Sequence, residues 1–379
     1  MFNIFILLIS FILVFIPSLC CMAEEFSLEE KVGQMLIVHF NGSTVNEEAR
    51  RLIGEAHVGG FIYYNWANVL DSPLQVQKLS FDLQETAKTK GKIPLWICVD
   101  QEYGPVVRLK EGFTSFPGNR DFAKSHRPEL AQSWAQAIGR ELQAVGVNVN
   151  FAPVIDISSH PETSYITARA FGDSAEVVIA FAKPTLEGYR QAGILAVPKH
   201  YPGYGDAAID PHKDLPWVKK TVEELENVDL KPFIQLSPHA DAFMTAHIMV
   251  PAFDTVHCAT LSKILIDGYL RQKVNFQGLI FSDSLVMQGL LNNITSIEEA
   301  AILAIQAGCD ILILGGKQIN SIQQGFELNI ERNLRIHEAI VKAVRQGRIS
   351  LETIDAAFNR ILHFKKKYGL FSNLASRCL

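Results

Sequence analysis

The sequence lacks the patterns that mark several common chemistries. Its six cysteines contain no C-x-x-C pair, so neither a zinc site nor a redox dithiol is signalled. The first apolar stretch offers only His39 where a barrel metallohydrolase would want paired histidines. No metal or other cofactor is expected. A G-x-S-x-G elbow is missing, which removes the usual serine nucleophile. Gly315 and Gly316 are a weak match to a phosphate-binding loop. No basic stripe accompanies the formal net charge of -5, so nucleic acid is not an expected partner. There is no Pro/Ser-rich linker and no repeat at a solenoid period.

What is present points to a large folded domain. The chain has 379 residues, 48% hydrophobic and 20% charged, enough for a sizeable core. Residues Phe2 to Leu19 are apolar except for Asn3, Ser10, Pro17 and Ser18. This run resembles a secretory signal with a cleavage point near Ala23, although no Lys or Arg precedes it. The alternative is an uncleaved anchor, since the run approaches the ~20 residues that a spanning helix needs. Lipid attachment at Cys20 or Cys21 fits the preceding residues poorly. Residues 1–23 are thus expected to be a signal peptide or membrane anchor, and residues 24–379 an exported domain of the periplasm or cell envelope. Cys98 and Cys309 sit in apolar runs, where cysteine behaves as a small buried hydrophobe.

Eight short apolar stretches read as strands: Met35–Phe40, Val58–Tyr64, Leu95–Val99, Val147–Ile155, Ile194–Val197, Ala242–Ala246, Leu279–Phe281 and Asp310–Leu314. Segments with helical spacing separate most of them, among them Leu74–Thr89, Pro128–Ala144, Ala175–Gln191, Val222–Leu236 and Ile297–Ala307. Ser27 with Glu30 marks a helix start before the first strand. Strands alternating with helices predict an α/β fold with a parallel sheet, here a single (β/α)8 TIM-like barrel. A doubly wound open sheet is the alternative. The tail from Leu334 to Tyr368 reads as two helices around Gly347, with Lys365, Lys366 and Lys367 at a solvated end.

Ionisable residues follow the apolar stretches repeatedly. Asp100 and Glu102 follow the third, Asp156 the fourth, Lys199 and His200 the fifth, His247 the sixth and Asp283 the seventh. In a barrel, the C-terminal strand ends build the active site. Singly, each has a bland explanation: Asp100 as a helix cap, His247 as a satisfied core histidine, Asp156 as an anchor for loop backbone. Together they predict a cleft of carboxylates and cations. The fifth stretch leads into a turn-rich loop with Pro202, Gly203 and Gly205, then Asp206, Asp210, His212 and Asp214. A polar surface loop is the alternative there. Glycoside cleavage needs a carboxylate beneath the anomeric carbon and a proton donor at the leaving oxygen. Asp283 is a candidate for the first role. A carboxylate-tuned histidine can fill the second, and Asp210 and His212, at i and i+2, can face one side of an extended loop.

Several motifs resemble those of the family 3 glycoside hydrolases, in particular the β-N-acetylglucosaminidase branch. The family's K-H-F-P-G-H-G, D-S-H and L-P stand here as Lys199-His200-Tyr201-Pro202-Gly203-Tyr204-Gly205, Asp210-Pro211-His212 and Leu215-Pro216. Asp100 to Arg108, Asn150 to Asp156, Arg169 to Gly172, Thr245 to His247, Phe281 to Leu285 and Ala307 to Asp310 match further family segments. The resemblance covers roughly residues 27 to 365. It implies Asp283 as nucleophile, His212 as acid/base and Asp210 as its partner. Asp100, Arg108, Arg169, Lys199 and His200 would bind N-acetylglucosamine. The implied partners are peptidoglycan-derived amino-sugar oligosaccharides, with membrane contact only through an uncleaved N-terminus. Tyr204 replaces the family's second His, and Tyr103 and Pro105 replace a Gly and an Arg. These changes are expected at the cleft rim, outside the chemistry. A phosphorylase, with phosphate in place of water, and a non-catalytic sugar-binding barrel are the rival functions.

Overall fold

The computed structural model describes residues 26–158, 166–204, 207, 214–318 and 326–371. Eight parallel strands form one sheet: β1 (Leu36–Val38), β2 (Gly60–Ile62), β3 (Trp96–Val99), β4 (Val149–Asn150), β5 (Leu195–Ala196), β6 (Ala242–Met244), β7 (Leu279–Ser284) and β8 (Ile311–Ile313). Their order, β5-β4-β3-β2-β1-β8-β7-β6, is a rotation of sequence order. A doubly wound sheet would reverse direction partway; this one does not. β1 pairs with both β2 and β8. The strands are short and buried, as in a parallel sheet covered on both faces.

The remaining seam, between β5 and β6, closes through the residues just after β5. Met244 N donates to Pro198 O (3.0 Å), Tyr201 N to Met244 O (2.8 Å) and Ala246 N to Tyr201 O (2.8 Å). On the other side, Val154 pairs with Lys199, with Ile155 N donating to Lys199 O (2.8 Å). The segment that carries Lys199 and His200 is thereby held between two walls of the barrel.

Local chemistry sets the helix starts. Ser27 and Glu30 form a capping box ahead of Leu28–Gln34, as its sequence predicts. Ser72, Ser174, Thr221, Ser296, Asn329 and Ser350 each cap a helix through a side-chain oxygen. The single helix expected over Val222–Leu236 is two, Val222–Asn227 and Lys231–Leu236. Pro232 has no N–H to continue the first helix but suits the first turn of the second.

The tail forms Ile330–Arg345 and Leu351–Lys367, with Gly347 left-handed between them. Its lysine run is only in part the solvated end that the sequence suggested: Lys366 and Lys367 are exposed, Lys365 is not. Lys365 is fully buried. Its Nζ donates to Gln34 Oε1 (2.8 Å), Gly59 O (3.0 Å) and Pro94 O (2.7 Å) beneath the barrel. Lys367 bonds both carboxylate oxygens of Asp241. Cys98 and Cys309 are free and buried, as expected of small hydrophobes, and so is Cys258. No helix among the described residues is long and apolar enough to cross a membrane. Residues 1–25, with the expected signal or anchor, lie outside the described residues.

Candidate active site

A cavity of about 260 Å³ opens at the C-terminal strand ends. Asp100, Arg108, Arg169, Lys199, His200 and Asp283 all line it. Six of the eight residues expected at the site therefore meet in one place. Asp210 and His212 lie outside the described residues.

Asp283 owes its aim to a β-bulge. Phe281 pairs with Ile311 but Ser284 with Ile313, so β7 spends one extra residue between the two pairs. Ser282 Oγ takes the freed ladder bond from Ile313 N (3.0 Å). A bulge redirects the side chains beside it, and here it turns Asp283 to the cavity. Ser284 N donates to Asp283 Oδ1 (2.7 Å), while Asp283 N reaches Thr245 Oγ1 (3.3 Å). Burial pushes the Asp283 pKa up. His247, His200, the Ser284 N–H and the Lys199 ammonium outweigh it, so the carboxyl titrates below its ordinary range. An ionised carboxylate held in a low-water site can act as a nucleophile.

A charged lattice fixes the opposite wall. Lys199 Nζ lies 2.7 Å from both Asp100 Oδ1 and Glu102 Oε1. Arg169 forks onto Glu102 through Nε (2.8 Å) and Nη2 (2.7 Å). Burial alone would raise the Glu102 pKa, but Arg169 and Lys199 hold it far below the usual carboxylate range. Lys199 is likewise disfavoured by burial, yet Asp100 and Glu102 raise its pKa above the ordinary lysine value. Glu102 is thus the counter-ion that keeps the two cations in place. The sequence showed it at a strand end without assigning it a role.

Asp156 is fully buried and does anchor loop backbone, as its sequence position suggested. It accepts from His200 N (3.2 Å), Tyr204 N (2.9 Å) and His200 Nδ1 (2.7 Å). Fixing the His200 ring goes beyond that expectation. His247 is buried and bonded on both sides, at Thr260 Oγ1 (2.8 Å) and Ser284 O (2.9 Å). It is a satisfied core histidine that also braces the Asp283 strand.

Two other expectations change. Tyr103 is not at the rim: it is buried, packs edge-on against Phe116, and neither it nor Pro105 lines the cavity. Tyr204 does line it, edge-on to His200. Gly315 and Gly316, the weak match to a phosphate-binding loop, sit in close packing. A Cβ at Gly315 would come within 2.4 Å of Ile62 Cγ2, and one at Gly316 (φ 146°) within 2.6 Å of Val286 Cγ2. No cluster of three or more potential metal ligands occurs among the described residues. Tyr64, Trp66 and Lys317 line the cavity and escaped the sequence reading, because lone aromatics and lysines in loops carry no motif.

A closed parallel barrel whose C-terminal mouth holds a braced carboxylate facing a wall of acids and cations is the architecture on which barrel enzymes build their active sites. The profile of the glycosyl hydrolase family 3 N terminal domain matches residues 27–364. Beta-hexosaminidase A of Pseudoalteromonas piscicida is 31% identical across 86% of this chain and 56% of that protein. The beta-hexosaminidase of Pseudomonas aeruginosa (strain LESB58) is 34% identical across 73% of this chain and 80% of that protein. A solved family 3 beta-N-acetylglucosaminidase from Paenibacillus sp. str. FPU-7 superposes with a TM-score of 0.85 at 37% identity. That superposition covers 91% of this chain and 63% of the other. The chain belongs to glycosyl hydrolase family 3. It spans little more than half the length of the Pseudoalteromonas relative, at 56%.

Proposed function

We propose that the protein is a retaining β-N-acetylglucosaminidase that removes terminal N-acetylglucosamine from GlcNAc-β-1,4-MurNAc fragments of peptidoglycan. Asp283 carries this reading: an ionised, hydrogen-bonded carboxylate at the C-terminal end of β7, inside a sugar-sized cavity. The beta-hexosaminidase names of the relatives support it. Asp100, Lys199, His200, Arg108 and Arg169 would hold the sugar hydroxyls and the N-acetyl group. An Asp283 oxygen attacks the anomeric carbon as its bond to the leaving oxygen breaks. His212, held by Asp210, gives that oxygen its proton. Water then yields a proton to His212 and its oxygen to the anomeric carbon, freeing Asp283.

The test is turnover of an aryl β-N-acetylglucosaminide beside the matching β-glucoside, in phosphate and in phosphate-free buffer. Preference for the N-acetyl sugar with free sugar as product is expected. Sugar 1-phosphate as the main product, or full activity in a folded Asp283→Ala variant, removes the reading. The apolar stretch Phe2–Leu19 further supports export to the periplasm or cell envelope. Full-length protein with that segment intact in the soluble cytoplasm would contradict export.

A further inference from the structure

The end of the barrel opposite the cavity carries a cluster of unmatched cations. The helix Pro73–Lys90 leads into β3 (Trp96–Val99), so the turn between them lies at the N-terminal end of the sheet. Lys88, Lys90 and Lys92 all stand exposed there. Among the described residues, none of the three forms an ion pair. Glu55 interacts with Lys90 through charge, but Arg51 already holds both Glu55 oxygens, at 2.8 and 3.0 Å. Other acids of this end are also matched, Asp355 by Lys31 (2.8 Å) and Asp241 by Lys367 (2.7 Å). Lys88 and Lys90 suit the end of their helix, where the backbone dipoles favour a cation. Lys92 has no such reason. It lies beyond the helix at φ 62°, a left-handed position that glycine fills without strain and lysine does not.

The N-terminal segment of the chain joins the barrel at the same place. Ile93, next to Lys92, is buried against Phe358 and Leu362 of the helix Leu351–Lys367, and Phe26 and Phe371 pack onto them. Phe26 sets its ring edge-on to Phe358, with centroids 5.2 Å apart. Lys366, in the last turn of that helix, is exposed as well. The apolar run Phe2–Leu19 ends seven residues before Phe26, which is at most about 25 Å of extended chain. A bilayer that takes up this run is therefore within reach of the lysines.

We infer that the Lys88–Lys92 turn is a docking surface for an anionic phospholipid bilayer. Ammonium groups attract lipid phosphates once held within a Debye length, about 8 Å. Each lysine near such a surface is worth about fivefold in affinity, so three favour an anionic over a neutral bilayer about 100-fold. The apolar run favours lipid over a soluble polyanion, because it brings a bilayer to this end of the molecule. The cavity opens at the opposite strand ends, so a barrel docked in this way turns its mouth away from the lipid. The inference rests on the run Phe2–Leu19 meeting a bilayer and is independent of the hydrolase reading.

The test reads lysine accessibility in the full chain by amine labelling and mass spectrometry, and it needs no turnover. Vesicles of phosphatidylcholine are compared with vesicles that contain about one-third phosphatidylglycerol, the anionic lipid. On the anionic vesicles Lys88, Lys90 and Lys92 should label about 10-fold more slowly than on the neutral ones. Lys110, exposed beyond β3 at the cavity end, should label equally on both. Salt at about 0.5 M, where the Debye length is about 4 Å, should remove the difference. In a Lys88→Gln/Lys90→Gln/Lys92→Gln variant, Lys366 should lose most of its own shielding by anionic lipid. All three substitutions fall on exposed side chains, so the variant should fold and keep its turnover. Equal labelling of the three lysines on both kinds of vesicle overturns the docking surface. So does shielding of Lys110 in their place, or shielding of Lys366 that survives the triple variant. Equal shielding by soluble polyphosphate would make the turn a general polyanion site and overturn the lipid assignment.

Discussion

A histidine that donates a proton matters in proportion to how much the leaving group needs one. A nitrophenolate departs readily without help; a sugar hydroxyl does not. General acid catalysis contributes on the order of 10²–10⁴ in rate. His212→Ala should therefore lose about that factor in first-step rate on a disaccharide and far less on a nitrophenyl glycoside. Azide should restore part of the aryl turnover, because the same ring is proposed to activate water in the second step. Single-turnover and steady-state rates on both substrates check this. If both slow by one factor and azide does nothing, His212 only binds or packs. At this scale the sequence was informative wherever an ionisable group ended an apolar run, as Lys199 and Asp283 do. Glu102 was visible, but its part as shared counter-ion depends on Arg169, 67 positions along the chain, and spacing does not reveal such a contact. Trp66 and Lys317 gave no signal, since they meet only where the ends of β2 and β8 converge.

Among the elements, strand existence was easier to read than strand extent. Val147–Ile155 reads as one apolar run, yet the regular ladder of β4 covers Val149–Asn150. The rest of the run bends past a cis Ala152–Pro153 bond to pair Val154 with Lys199. The β7 bulge was likewise invisible, because Phe281-Ser282-Asp283-Ser284 carries no glycine or other bulge marker. The last helix holds the clearest misreading, and it can be tested. Burial pushes the Lys365 pKa down to about 7. Keeping it charged costs stability at every pH below that value. As pH rises from about 7 toward the ordinary lysine value near 10.4, the unfolded chain keeps its proton longer than the folded one, so this group makes stability climb. The slope it adds is about 1.4 kcal/mol per pH unit at most. Lys365→Met should flatten that part of the profile. It should also destabilise at pH 7 by about 2 kcal/mol or more, because Gln34 Oε1, Gly59 O and Pro94 O lose their shared donor. Denaturant midpoints of the two proteins at pH 7 and pH 9 measure both effects. Parallel profiles would show that Lys365 does not titrate in this range.

For the whole molecule, alternation of apolar and helical stretches was enough to predict a parallel barrel. It did not say how the ring would close, because the β5–β6 seam runs through a loop and not through two regular strands. That loop is also a wall of the candidate site, so the buried charges gathered there help hold the barrel shut. Stability and activity should then part company along the pH axis. Glu102 and Asp283 both titrate below their ordinary range in the folded protein. Their contribution is present above the unfolded carboxylate value, about 4. It is lost as pH falls through the folded values, because the unfolded chain takes up those protons first. The thermal midpoint should accordingly show no loss from these groups between about pH 5 and 7 and should drop below about pH 4. Asp283, the proposed nucleophile, stays ionised across that plateau, so the folded protein should show no acid limb in kcat near pH 5. The proposed proton donor, His212, should set the alkaline limb, and an ordinary histidine titrates near 6.5. A neighbouring carboxylate raises that value by favouring the charged ring. Asp210→Asn removes the negative charge and should move the alkaline limb of kcat/KM to lower pH, while leaving the low-pH side of the profile in place. Full pH profiles of kcat/KM and thermal midpoint on the two proteins decide it. An alkaline limb that ignores Asp210→Asn would detach the dyad from the chemistry, and a reversible acid limb near pH 4.5 in folded enzyme would show that Asp283 titrates as an ordinary carboxylate.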